Sequence, residues 1–595
     1  MKSQNLVALF DKTASSDPQA PCFTFSVKNQ WHTLKWDEIR TYVIKIAGGL
    51  KALGIKKGDR VAIFSKTRYE WTLADLGILA AGAITVPIYE SNTAKQAQYI
   101  LEDSDTKIVF VENHIQHKKI AQIKQDIPTL SHIVYFDSKN LSSSADSLYS
   151  LDELMTVGSK QGPDIYAQSC ASLTLNDDAS FVYTSGTTGN PKGAILTHEN
   201  FVAEVEDALE ICPIEKNYVA LQFLPQAHIL GRVAQFFHIY VGCTQAFAES
   251  IDKLVDNIGH IKPHYMVSVP RIFEKIHART LQNIEVASPI KKKIFHWALH
   301  TGQKYSHKIR HNEKMCPSLS LKYKIASKLV FSKLHEKMGG RVKFFISGGA
   351  PLSADIALFF HAFGFTILEG YGLTETTAGI SFNRKKAIKF GSVGQPLPSV
   401  EMKLAEDGEI LVKGSVVFKG YFNNDKATKE AIDQDGWFHT GDIGTFDSEH
   451  FLTITDRKKD IIVTAGGKNI APQNIENFMK EDPYISQFVV HGDKRKFLSA
   501  LVTLDQPEIE RLAKDKQITF NNYEELVKDT MVFTFIKDRI ESKNKTLPSY
   551  ETIKRFAILP NDFSIETGEL TPTLKVKRKV ITERYGNILD SFYSD

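Results

Sequence analysis

The stretch YTSGTTGNPKG, residues 183–193, joins the end of an apolar run to a loop of small, hydroxylated and flexible residues. Its hydroxyl groups can donate hydrogen bonds, and its glycines let backbone N–H groups turn inward and approach a ligand closely. A lysine near the end of the loop adds a positive charge. This combination predicts a loop that holds phosphates, and the residues assigned to it are Thr184, Ser185, Gly186, Thr187, Thr188, Gly189 and Lys192.

The apolar run before this loop, residues 179–183, is typical of a buried strand that fixes the base of the loop. The loop is not a Walker A motif, because Lys192 is followed by Gly193 rather than by serine or threonine. Most kinases and GTPases are thereby excluded. The remaining alternative is an ordinary surface turn rich in glycine and threonine, and the rest of the chain decides between the two.

The length and composition describe a globular protein with more than one domain. A chain of 595 residues exceeds what one hydrophobic core usually supports. The net charge of +4 is small for this length, which argues against a nucleic-acid binder. The five cysteines form no CxxC pair, so we expect a reducing compartment and neither a disulfide framework nor a zinc site.

Two short apolar segments bear on export and membrane insertion. The run at residues 6–10 is ended by Asp11 and is too short for a signal peptide. The longest apolar stretch, residues 76–87, is too short to span a bilayer. We therefore expect a cytoplasmic protein without an integral membrane segment.

Short β-rich runs alternate with helical patterns along most of the chain, which is typical of an α/β fold with largely parallel sheets. The predicted strands are residues 60–64, 107–111, 133–136, 180–184, 342–346 and 366–368. Ligands of such sheets bind beyond the carboxyl ends of the strands. Three of the runs end there in polar loops that contain glycine, which are TSGTTG, SGGAPLS at 347–353 and EGYGLTET at 369–376.

A second organisational break falls near DRKKDI, residues 456–461, which follows a turn-rich stretch. A fresh α/β pattern comes after it, with predicted strands at 461–463, 488–491 and 498–504. We therefore predict an N-terminal domain at residues 1–455, a hinge at 456–461 and a small C-terminal domain at 462–595.

Seven ordered motifs together are far more specific than the loop alone. They are YTSGTTGNPKGAILTHEN (183–200), LPQAHILGR (224–232), ISGGAPLS (346–353), EGYGLTET (369–376), DGWFHTGDIG (435–444), DRKKD (456–460) and LTPTLKVKR (570–578). These motifs resemble those of the AMP-forming adenylate synthetase superfamily and, within it, of the long-chain fatty acyl-CoA synthetases. The resemblance covers nearly the whole chain.

The resemblance implies both a fold and a reaction. The implied fold is α/β, with a large multi-sheet N-terminal domain and a small mobile α+β C-terminal domain. The implied reaction is the ATP-dependent activation of a long-chain fatty acid to acyl-AMP with release of pyrophosphate, followed by transfer of the acyl group to coenzyme A. ATP, Mg²⁺ and coenzyme A are therefore the expected cofactors and co-substrates.

This chemistry requires a carboxylate to attack the α-phosphate of ATP although both groups are anions. At about 4 Å and an effective dielectric constant near 20, each unit-charge pair is worth roughly 4 kcal/mol, so cations must face the attack point and the leaving group. Lys575 matches the family lysine that bridges the attacking carboxylate and the α-phosphate, and we predict that it is catalytic. The alternative is a solvated cationic face shared with Lys577, Arg578 and Lys579. One departure is Leu574, which stands where the superfamily usually has glycine.

A second catalytic candidate is Glu375, in the turn after a predicted buried strand, where its carboxylate can serve as a hard oxygen ligand for Mg²⁺. A helix-capping or surface role is the alternative. We assign Thr184 to the same metal ion. Thr374 is predicted to contact the α-phosphate, and Tyr371 to offer an aromatic face to the adenine ring.

The nucleotide's ribose has its own candidates. Asp442, in HTGDIG, can accept hydrogen bonds from both ribose hydroxyls, as the matching aspartate does in the family; an aspartate that only caps a turn is the alternative. By resemblance, Arg457 joins it at the ribose, and Lys459 matches the hinge residue about which the small domain swings. The resemblance also implies further residues of the adenine pocket, which are Gly349, Ala350, Glu369 and Gly370.

The acyl end of the site is predicted from LPQAHILGR and the residues after it. His228 resembles a position next to the fatty-acid carboxylate and is the third catalytic candidate, although a lone histidine is more often structural. The apolar run at 233–241 can form a wall of an acyl-chain tunnel or simply belong to the core, and the sequence favours neither.

A basic helical segment is predicted at about 285–338, because residues 291–338 carry many lysines and histidines against two acids, Glu313 and Glu336. Four apolar residues recur in it near helical spacing, and these are Ile325, Leu329, Leu334 and Met338. Such a helix could rest on the inner face of an anionic membrane and collect a fatty acid there. An ordinary solvated face is the alternative. The oligomeric state stays open, with a homodimer as one option.

Two other functions stay open at this point. An acyl-adenylate synthetase could pass the acyl group to a carrier protein or another acceptor, although the absence of a visible carrier domain favours coenzyme A. A catalytically inactive nucleotide or lipid sensor would keep the fold. It is disfavoured because Lys192, Glu375, Asp442 and Lys575 are all present.

Overall fold

The main body of the protein is built from sheets with helices packed on their faces. The structure, a computed structural model, describes residues 5–137, 147–184, 190–465 and 468–594. The strands of the main body are β1 (Pro21–Val27), β2 (Gln30–Lys35), β3 (Arg60–Phe64), β4 (Ile84–Ile88), β5 (Ile108–Val111), β6 (His132–Tyr135), β7 (Leu148–Ser150), β8 (Asp178–Thr184), β9 (Lys192–Thr197), β10 (Val219–Gln222), β11 (Thr244–Phe247), β12 (Tyr265–Ser268), β13 (Phe344–Ser347), β14 (Ile367–Tyr371), β15 (Ser381–Phe382), β16 (Gln395–Pro396), β17 (Val400–Leu404), β18 (Glu409–Gly414), β19 (Gly420–Tyr421), β20 (Phe438–Phe446) and β21 (Leu452–Arg457).

The helices of the same part of the chain connect these strands. They are α1 (Leu6–Ser16), α2 (Trp36–Ala52), α3 (Tyr69–Ala80), α4 (Ala94–Asp103), α5 (His114–Ile123), α6 (Leu151–Ser159), α7 (Pro163–Ala171), α8 (His198–Ile211), α9 (Ile229–Val241), α10 (Leu254–Ile261), α11 (Pro270–Glu285), α12 (Pro289–Arg310), α13 (Pro317–Ala326), α14 (Ser332–Lys337), α15 (Ala354–Ala362) and α16 (Asp425–Ala431).

Parallel pairing dominates the two largest sheets. Within the described residues, one sheet has the order β19-β9-β8-β4-β3-β5-β6-β7 and the other the order β16-β15-β14-β13-β12-β10-β11-β1-β2. Antiparallel pairs occur only toward their edges, at β8-β9-β19 in the first sheet and at β14-β15-β16 and β1-β2 in the second. A third sheet, β17-β18-β20-β21, is antiparallel throughout these residues. The predicted α/β class with largely parallel sheets is thus confirmed.

A smaller unit follows the third sheet. Its elements are β22 (Ile462–Val463), β23 (Asn469–Ile470), α17 (Pro472–Lys480), β24 (Ile485–His491), β25 (Leu498–Leu504), α18 (Gln506–Lys516), α19 (Tyr523–Val527), α20 (Thr530–Asn544), β26 (Ile553–Ile558) and α21 (Arg578–Ser591). Its hydrophobic clusters run from Ile462 to Leu589, whereas those of the main body run from Leu6 to Leu452. The predicted hinge at 456–461 begins inside β21, because Arg457 still pairs with Asp442 of β20.

Helix α9 lies between the sheets and illustrates how local sequence sets its ends. The Nδ1 atom of His228 accepts a hydrogen bond from the Leu230 N–H at 3.2 Å, which satisfies one of the free donors of the first turn. The helix ends at Gly242, whose φ of +79° lies in the left-handed region that glycine adopts without strain. Ten of its 13 residues are buried, so the helix packs on more than one face.

A fully buried ion pair links α9 to α3 and, through its hydrogen bonds, to strands β4 and β8. Arg232 donates to both carboxylate oxygens of Asp75, at 2.5 and 2.9 Å, and to the Ser180 hydroxyl at 2.9 Å; the side chains of the ion pair are both 0% exposed. Asp75 also accepts hydrogen bonds from Thr85 and Gln235, each at 2.7 Å. The two charges are therefore compensated and well hydrogen-bonded, which a buried pair requires.

The basic segment differs from its prediction. Ile325 and Leu329 are 44% and 52% exposed, but Leu334 and Met338 are buried, so the four residues do not form one apolar stripe. Nine residues separate Ile325 from Leu334, about two and a half turns of an α-helix, so the two residues lie on opposite faces even of a regular helix. A π-helical turn at Ser327–Phe331 also separates α13 from α14. The single amphipathic helix drawn through these four residues is thus wrong.

None of the helices in the described residues combines the length and the apolar composition needed to cross a bilayer.

Removing one partner of the buried ion pair should be costly. We predict that Asp75→Asn lowers the free energy of unfolding by about 3 kcal/mol or more, because Arg232 keeps its charge in a site without water. Urea unfolding followed by tryptophan fluorescence measures this, since Trp71 lies 5.2 Å from the Arg232 guanidinium.

The matched control is Asp105→Asn, which removes the partner of Arg60 in a pair whose Asp105 side chain is 56% exposed. This change should stay within about 0.5 kcal/mol of the wild type. Equal small losses in both variants would contradict the structural importance of the buried pair.

Candidate active site

A cavity of about 850 Å³ lies where the two parallel sheets, the third sheet and the C-terminal unit meet. The carboxyl ends of β8, β13 and β14 point to it, and they lead into residues of its wall such as Thr184, Gly348 and Gly372. The third sheet contributes Thr440, and the C-terminal unit contributes Lys575. The cavity thus lies where ligands of parallel sheets are expected.

The predicted phosphate loop borders one end of the cavity. Thr184 and Lys192 line it, and the Lys192 ammonium lies 4.9 Å from the centre of the Tyr421 ring. Five predicted loop residues lie outside the described residues, and these are Ser185, Gly186, Thr187, Thr188 and Gly189.

Glu375 sits in a short turn, Thr374–Thr376, that also lines the cavity. Its Oε1 atom accepts a hydrogen bond from the Tyr421 hydroxyl at 2.8 Å, so one tyrosine links this carboxylate to the lysine of the phosphate loop. The turn needs glycine at 372, since a Cβ there would lie 1.8 Å from the Ala378 carbonyl oxygen. Glu375 and Thr184 offer carboxylate and hydroxyl oxygens to the cavity, a donor set that fits Mg²⁺.

Asp442 is a buried carboxylate beside the site, and it is not among the residues that line the cavity. Its Oδ1 accepts a hydrogen bond from the Arg457 Nε at 2.9 Å, and its Oδ2 accepts one from the Tyr371 hydroxyl at 2.6 Å. Burial and the nearby Asp442 raise the pKa of Tyr371 well above its usual range, so the phenol stays a donor. Tyr371 is not among the residues that line the cavity, although its neighbours Gly370 and Gly372 are, and its contact with adenine stays a prediction.

The other predicted adenine residues separate into two groups. Gly349 and Gly370 line the cavity, while Ala350 is exposed and Glu369 is buried, and neither of these two is part of the wall. The Oε1 atom of Glu369 accepts a hydrogen bond from the Leu352 N–H at 3.0 Å. Burial raises the pKa of Glu369 to about 8, against the effect of that hydrogen bond. This carboxyl is thus mostly neutral at pH 7.

Lys575 reaches the cavity from a tight turn of the C-terminal unit. The Thr571 N–H donates to the Lys575 carbonyl at 2.8 Å, and the Lys575 N–H donates to the Thr571 hydroxyl at 3.0 Å. Leu574 has a φ of +60°, a left-handed conformation that costs a leucine energy and glycine almost none. Leu574, in place of the family's glycine, is therefore a strained residue next to the lysine.

The surroundings of Lys575 change the pKa of its ammonium group. Its side chain is accessible within the cavity but enclosed by protein, and this desolvation lowers its pKa. The positive charge of Arg457 lowers the pKa further, while Asp442 and Glu375 oppose the shift. The lysine thus faces the same groups that were predicted to hold the nucleotide and the metal ion.

His228 lines the cavity at the start of α9. Burial, with a contribution from Lys575, lowers the pKa of His228 to about 4, so the ring is neutral at pH 7. Because Nδ1 accepts a hydrogen bond from the Leu230 N–H, the proton of the neutral ring is on Nε2, which can donate to a carboxylate.

The packing of α9 shows whether residues 233–241 belong to the cavity wall or to the core. Val233, Ala234 and Phe237 line the cavity together with Leu230, at the spacing of one helical face. Phe236 faces the other way, with its ring 5.1 Å from that of Phe201 in the core. The run is therefore both cavity wall and core.

Four consecutive residues, 457–460, line the cavity at the junction with the C-terminal unit. Arg457 and Lys459 both line it, and Lys458 between them donates to Glu409 at 3.0 Å. The role of Lys459 as a pivot stays a prediction.

Sequence reasoning missed Tyr421 and Glu204. The first contacts Glu375, which is 46 residues away, and the second accepts a hydrogen bond from Gly379, which is 175 residues away. Neither residue belongs to a recognised motif. The one available signal for Tyr421 was its aromatic neighbours in FKGYF, residues 418–422, which predict only a buried segment.

Comparison with known proteins identifies the family. The AMP-binding enzyme family matches residues 10–422, and the AMP-binding enzyme C-terminal domain family matches residues 459–595. The long-chain-fatty-acid–CoA ligase FadD15 of Mycobacterium bovis is 38% identical over 99% of this chain and 97% of its own. The long-chain-fatty-acid–CoA ligase ACSBG2 of Rattus norvegicus is 33% identical over 98% of this chain and 92% of its own.

A solved structure supports the same fold. The adenylation domain of a carboxylate reductase from Mycobacterium chelonae superimposes with a TM-score of 0.78 at 21% identity, covering 100% of this chain and 92% of that one. Together with the cavity and the motifs around it, these matches show that the chain belongs to the AMP-binding enzyme family.

Proposed function

We propose that this protein is a long-chain-fatty-acid–CoA ligase that forms acyl-AMP from a fatty acid and ATP, releases pyrophosphate, and then transfers the acyl group to coenzyme A. The names and full-length similarity of its relatives support this activity. One structural observation carries the proposal: apolar residues of α9, Lys192 of the predicted phosphate loop, and Lys575 all line a single cavity. An apolar chain, its carboxylate and a triphosphate can thus meet in one space.

The residues around the cavity divide the work of the first half-reaction. The Nε2–H of His228 and the ammonium of Lys575 orient the carboxylate and reduce its repulsion from the α-phosphate. As the new bond forms, Lys575 stabilises the charge that builds on the phosphate oxygens. Glu375 and Thr184 would hold Mg²⁺, and the chemistry this ion would supply is neutralisation of negative charge on the pyrophosphate. Asp442 and Arg457 orient the ribose.

The second half-reaction needs a different arrangement of the small domain. Lys575 occupies the cavity next to the groups that would hold acyl-AMP, so it blocks that side from a thiol. We therefore assign residues 462–595 as a mobile domain that rotates about Lys459 and withdraws Lys575 after pyrophosphate leaves. The same site thus serves adenylation and thioester formation in turn.

Lys575→Ala separates the two half-reactions. We predict that it slows pyrophosphate release with palmitate by about 10²-fold or more, the loss expected when one preorganised charge is removed from the transition state. Thioester formation from preformed palmitoyl-AMP should stay within a few fold of the wild type. Single-turnover assays of each step measure this.

The control is Lys579→Ala, which removes an exposed lysine that pairs with Glu583 on α21. It should leave both steps unchanged. Equal losses in the two half-reactions of Lys575→Ala would contradict the role assigned to Lys575.

We further propose that α12 and α13 rest on an anionic membrane surface. Residues 291–338 contain twelve lysines and arginines against two glutamates. Exposed apolar residues lie at helical spacing among these cations, and they are Ile290, Ile294 and Trp297 on α12, and Leu321 and Ile325 on α13, followed by Leu329. A neighbouring face of α12 is buried through Phe295 and Ala298. Apolar residues can enter the interface while the lysines contact anionic lipid headgroups.

Flotation with lipid vesicles tests this surface. We predict binding to vesicles that contain phosphatidylglycerol, weaker binding at high salt, and little binding to pure phosphatidylcholine. The variant Ile290→Ser, Leu321→Ser, Leu329→Ser should bind at least about 10-fold more weakly, since each buried aliphatic side chain contributes roughly 1.5 kcal/mol or more.

The matched control changes Ile115 and Met531 to serine, because both are exposed apolar residues outside this segment. It should bind vesicles as the wild type does. Equal weakening in the control, or binding that ignores lipid charge, would contradict the proposed surface.

A further inference from the structure

The turn that follows α12 brings three side chains able to bind a metal ion to one place on the surface. His307 lies in the last turn of α12, His311 caps its carboxyl end four residues later, and Glu313 follows in the chain. Ligand atoms of the three side chains all lie within 4.8 Å of one another, and all three residues are exposed. They are not part of the wall of the active-site cavity, so the mechanism does not account for them.

The backbone after α12 holds Glu313 over the end of the helix. Asn312 has a φ of +50°, a left-handed conformation that asparagine adopts more readily than most residues. Its N–H donates to the Ile309 carbonyl at 3.2 Å. The Glu313 N–H donates to the Lys308 carbonyl at 2.9 Å, and the two bonds form the Schellman motif that ends many helices. The sequence HNE at 311–313 thus fixes where the carboxylate lies relative to the last helical turn.

The distances in this cluster are close to those of ligands that share one ion. Nδ1 of His307 lies 3.5 Å from Oε1 of Glu313. Ligand atoms of a tetrahedral zinc ion lie about 3.4 Å apart when each bond is about 2.1 Å long. The His311 ring stacks on the His307 ring, with their centres 4.2 Å apart. Because all three side chains are exposed, rotation about their bonds meets little resistance and can close the widest of the three separations.

Two outer hydrogen bonds orient these side chains. Nδ1 of His311 donates to the His307 carbonyl at 2.8 Å, so the lone pair of the neutral ring is on Nε2. Lys308 donates to Oε2 of Glu313 at 3.0 Å, while Oε1 is the oxygen near His307. Histidines and carboxylates that bind metals commonly make such bonds through the atom that does not contact the ion. The cluster therefore has the partners of a metal site as well as its ligands.

The donor atoms and the charge around them select the kind of ion. Two imidazoles and a carboxylate suit zinc and related transition metals, whereas Mg²⁺ and Ca²⁺ prefer oxygen ligands. Residues 291–338 are rich in lysine, which repels cations, so an ion must bind here through the lone pairs of neutral imidazoles. The spacing of the cysteines gave no sign of such a site, because the site contains no cysteine.

We propose that His307, His311 and Glu313 bind one zinc ion, with water as the fourth ligand, and that the ion pins residues 311–316 to the end of α12. The alternative is a surface ion pair between Glu313 and His307, which forms only when the imidazole is protonated. The site lies outside the catalytic cavity, so the inference does not depend on the proposed ligase activity.

Calorimetric titration with ZnCl₂ tests the site on the full chain without an affinity tag, in excess Mg²⁺ to occupy sites made of oxygen ligands. The wild type should bind one zinc ion, and His307→Ala, His311→Ala should bind it at least about 10-fold more weakly, since losing only an outer partner of a ligand costs about 10- to 100-fold. Glu313→Gln removes the anionic ligand and should weaken binding by about 10-fold as well. Equal zinc affinity in the wild type and the double variant overturns the inference.

The matched control is His296→Ala, His300→Ala, an exposed pair with the same spacing on α12 that is not part of the cluster. It should keep the wild-type affinity for zinc, and a loss equal to that of the test variant would contradict the assignment. Trypsin tests the pinning, because Lys314 is exposed in the segment that the ion would hold. Zinc should slow cleavage after Lys314 several-fold in the wild type and not in His307→Ala, His311→Ala. Zinc that binds without changing this rate would overturn the pinning.

Discussion

The buried pair between Asp75 and Arg232 connects the parts of the molecule that must meet at the active site. Arg232 lies one helical turn after His228, at the start of the helix that forms the apolar cavity wall. Through Ser180 the same guanidinium also contacts β8, whose last residue, Thr184, begins the phosphate loop. This one ion pair thus fixes the apolar cavity wall on α9 relative to the predicted phosphate loop after β8, and both of its side chains are closed to solvent.

The other constraint is that like charges must be brought together for the reaction. The main body supplies carboxylates at Glu375 and Asp442, which would hold the metal ion and the ribose, but the cation between them comes from the C-terminal unit. In the proposed mechanism, the position of Lys575 on a separate unit would let one residue stabilise the first half-reaction and leave before the second. The strained backbone at Leu574 shows how tightly the turn must bend to present it.

Much of the fold was predictable because its strands are short apolar runs between turn residues. β3 and β25 have their predicted bounds, and the other predicted strands shift by about three residues at most, within the usual uncertainty of strand ends. Some of the residues named in advance line the cavity, among them Lys192, Glu375 and Lys575, since phosphate and metal chemistry demands particular side chains. Others do not line it, and these are Asp442, Tyr371, Ala350 and Glu369. Long-range contacts were not predictable in this way, because nothing near Tyr421 or Glu204 in the chain reveals their partners.

The spacing of apolar residues left one further feature open and was misread for another. The run at 233–241 could be core or tunnel, and only the packing of α9 shows that its faces do both. The four apolar residues of the basic segment were taken as one stripe, but Leu334 comes about two and a half helical turns after Ile325 and therefore lies on the other face, where it and Met338 are buried.

The central claim is that one cavity activates a long-chain carboxylate with ATP and then passes it to coenzyme A. Pyrophosphate and AMP release, measured with carboxylates from acetate to palmitate and with or without coenzyme A, tests it most directly. The account predicts pyrophosphate release that increases with chain length, and multiple turnovers with thioester product only when coenzyme A is present. Activity that is highest with acetate, or acyl-AMP consumption that does not depend on coenzyme A, would contradict it.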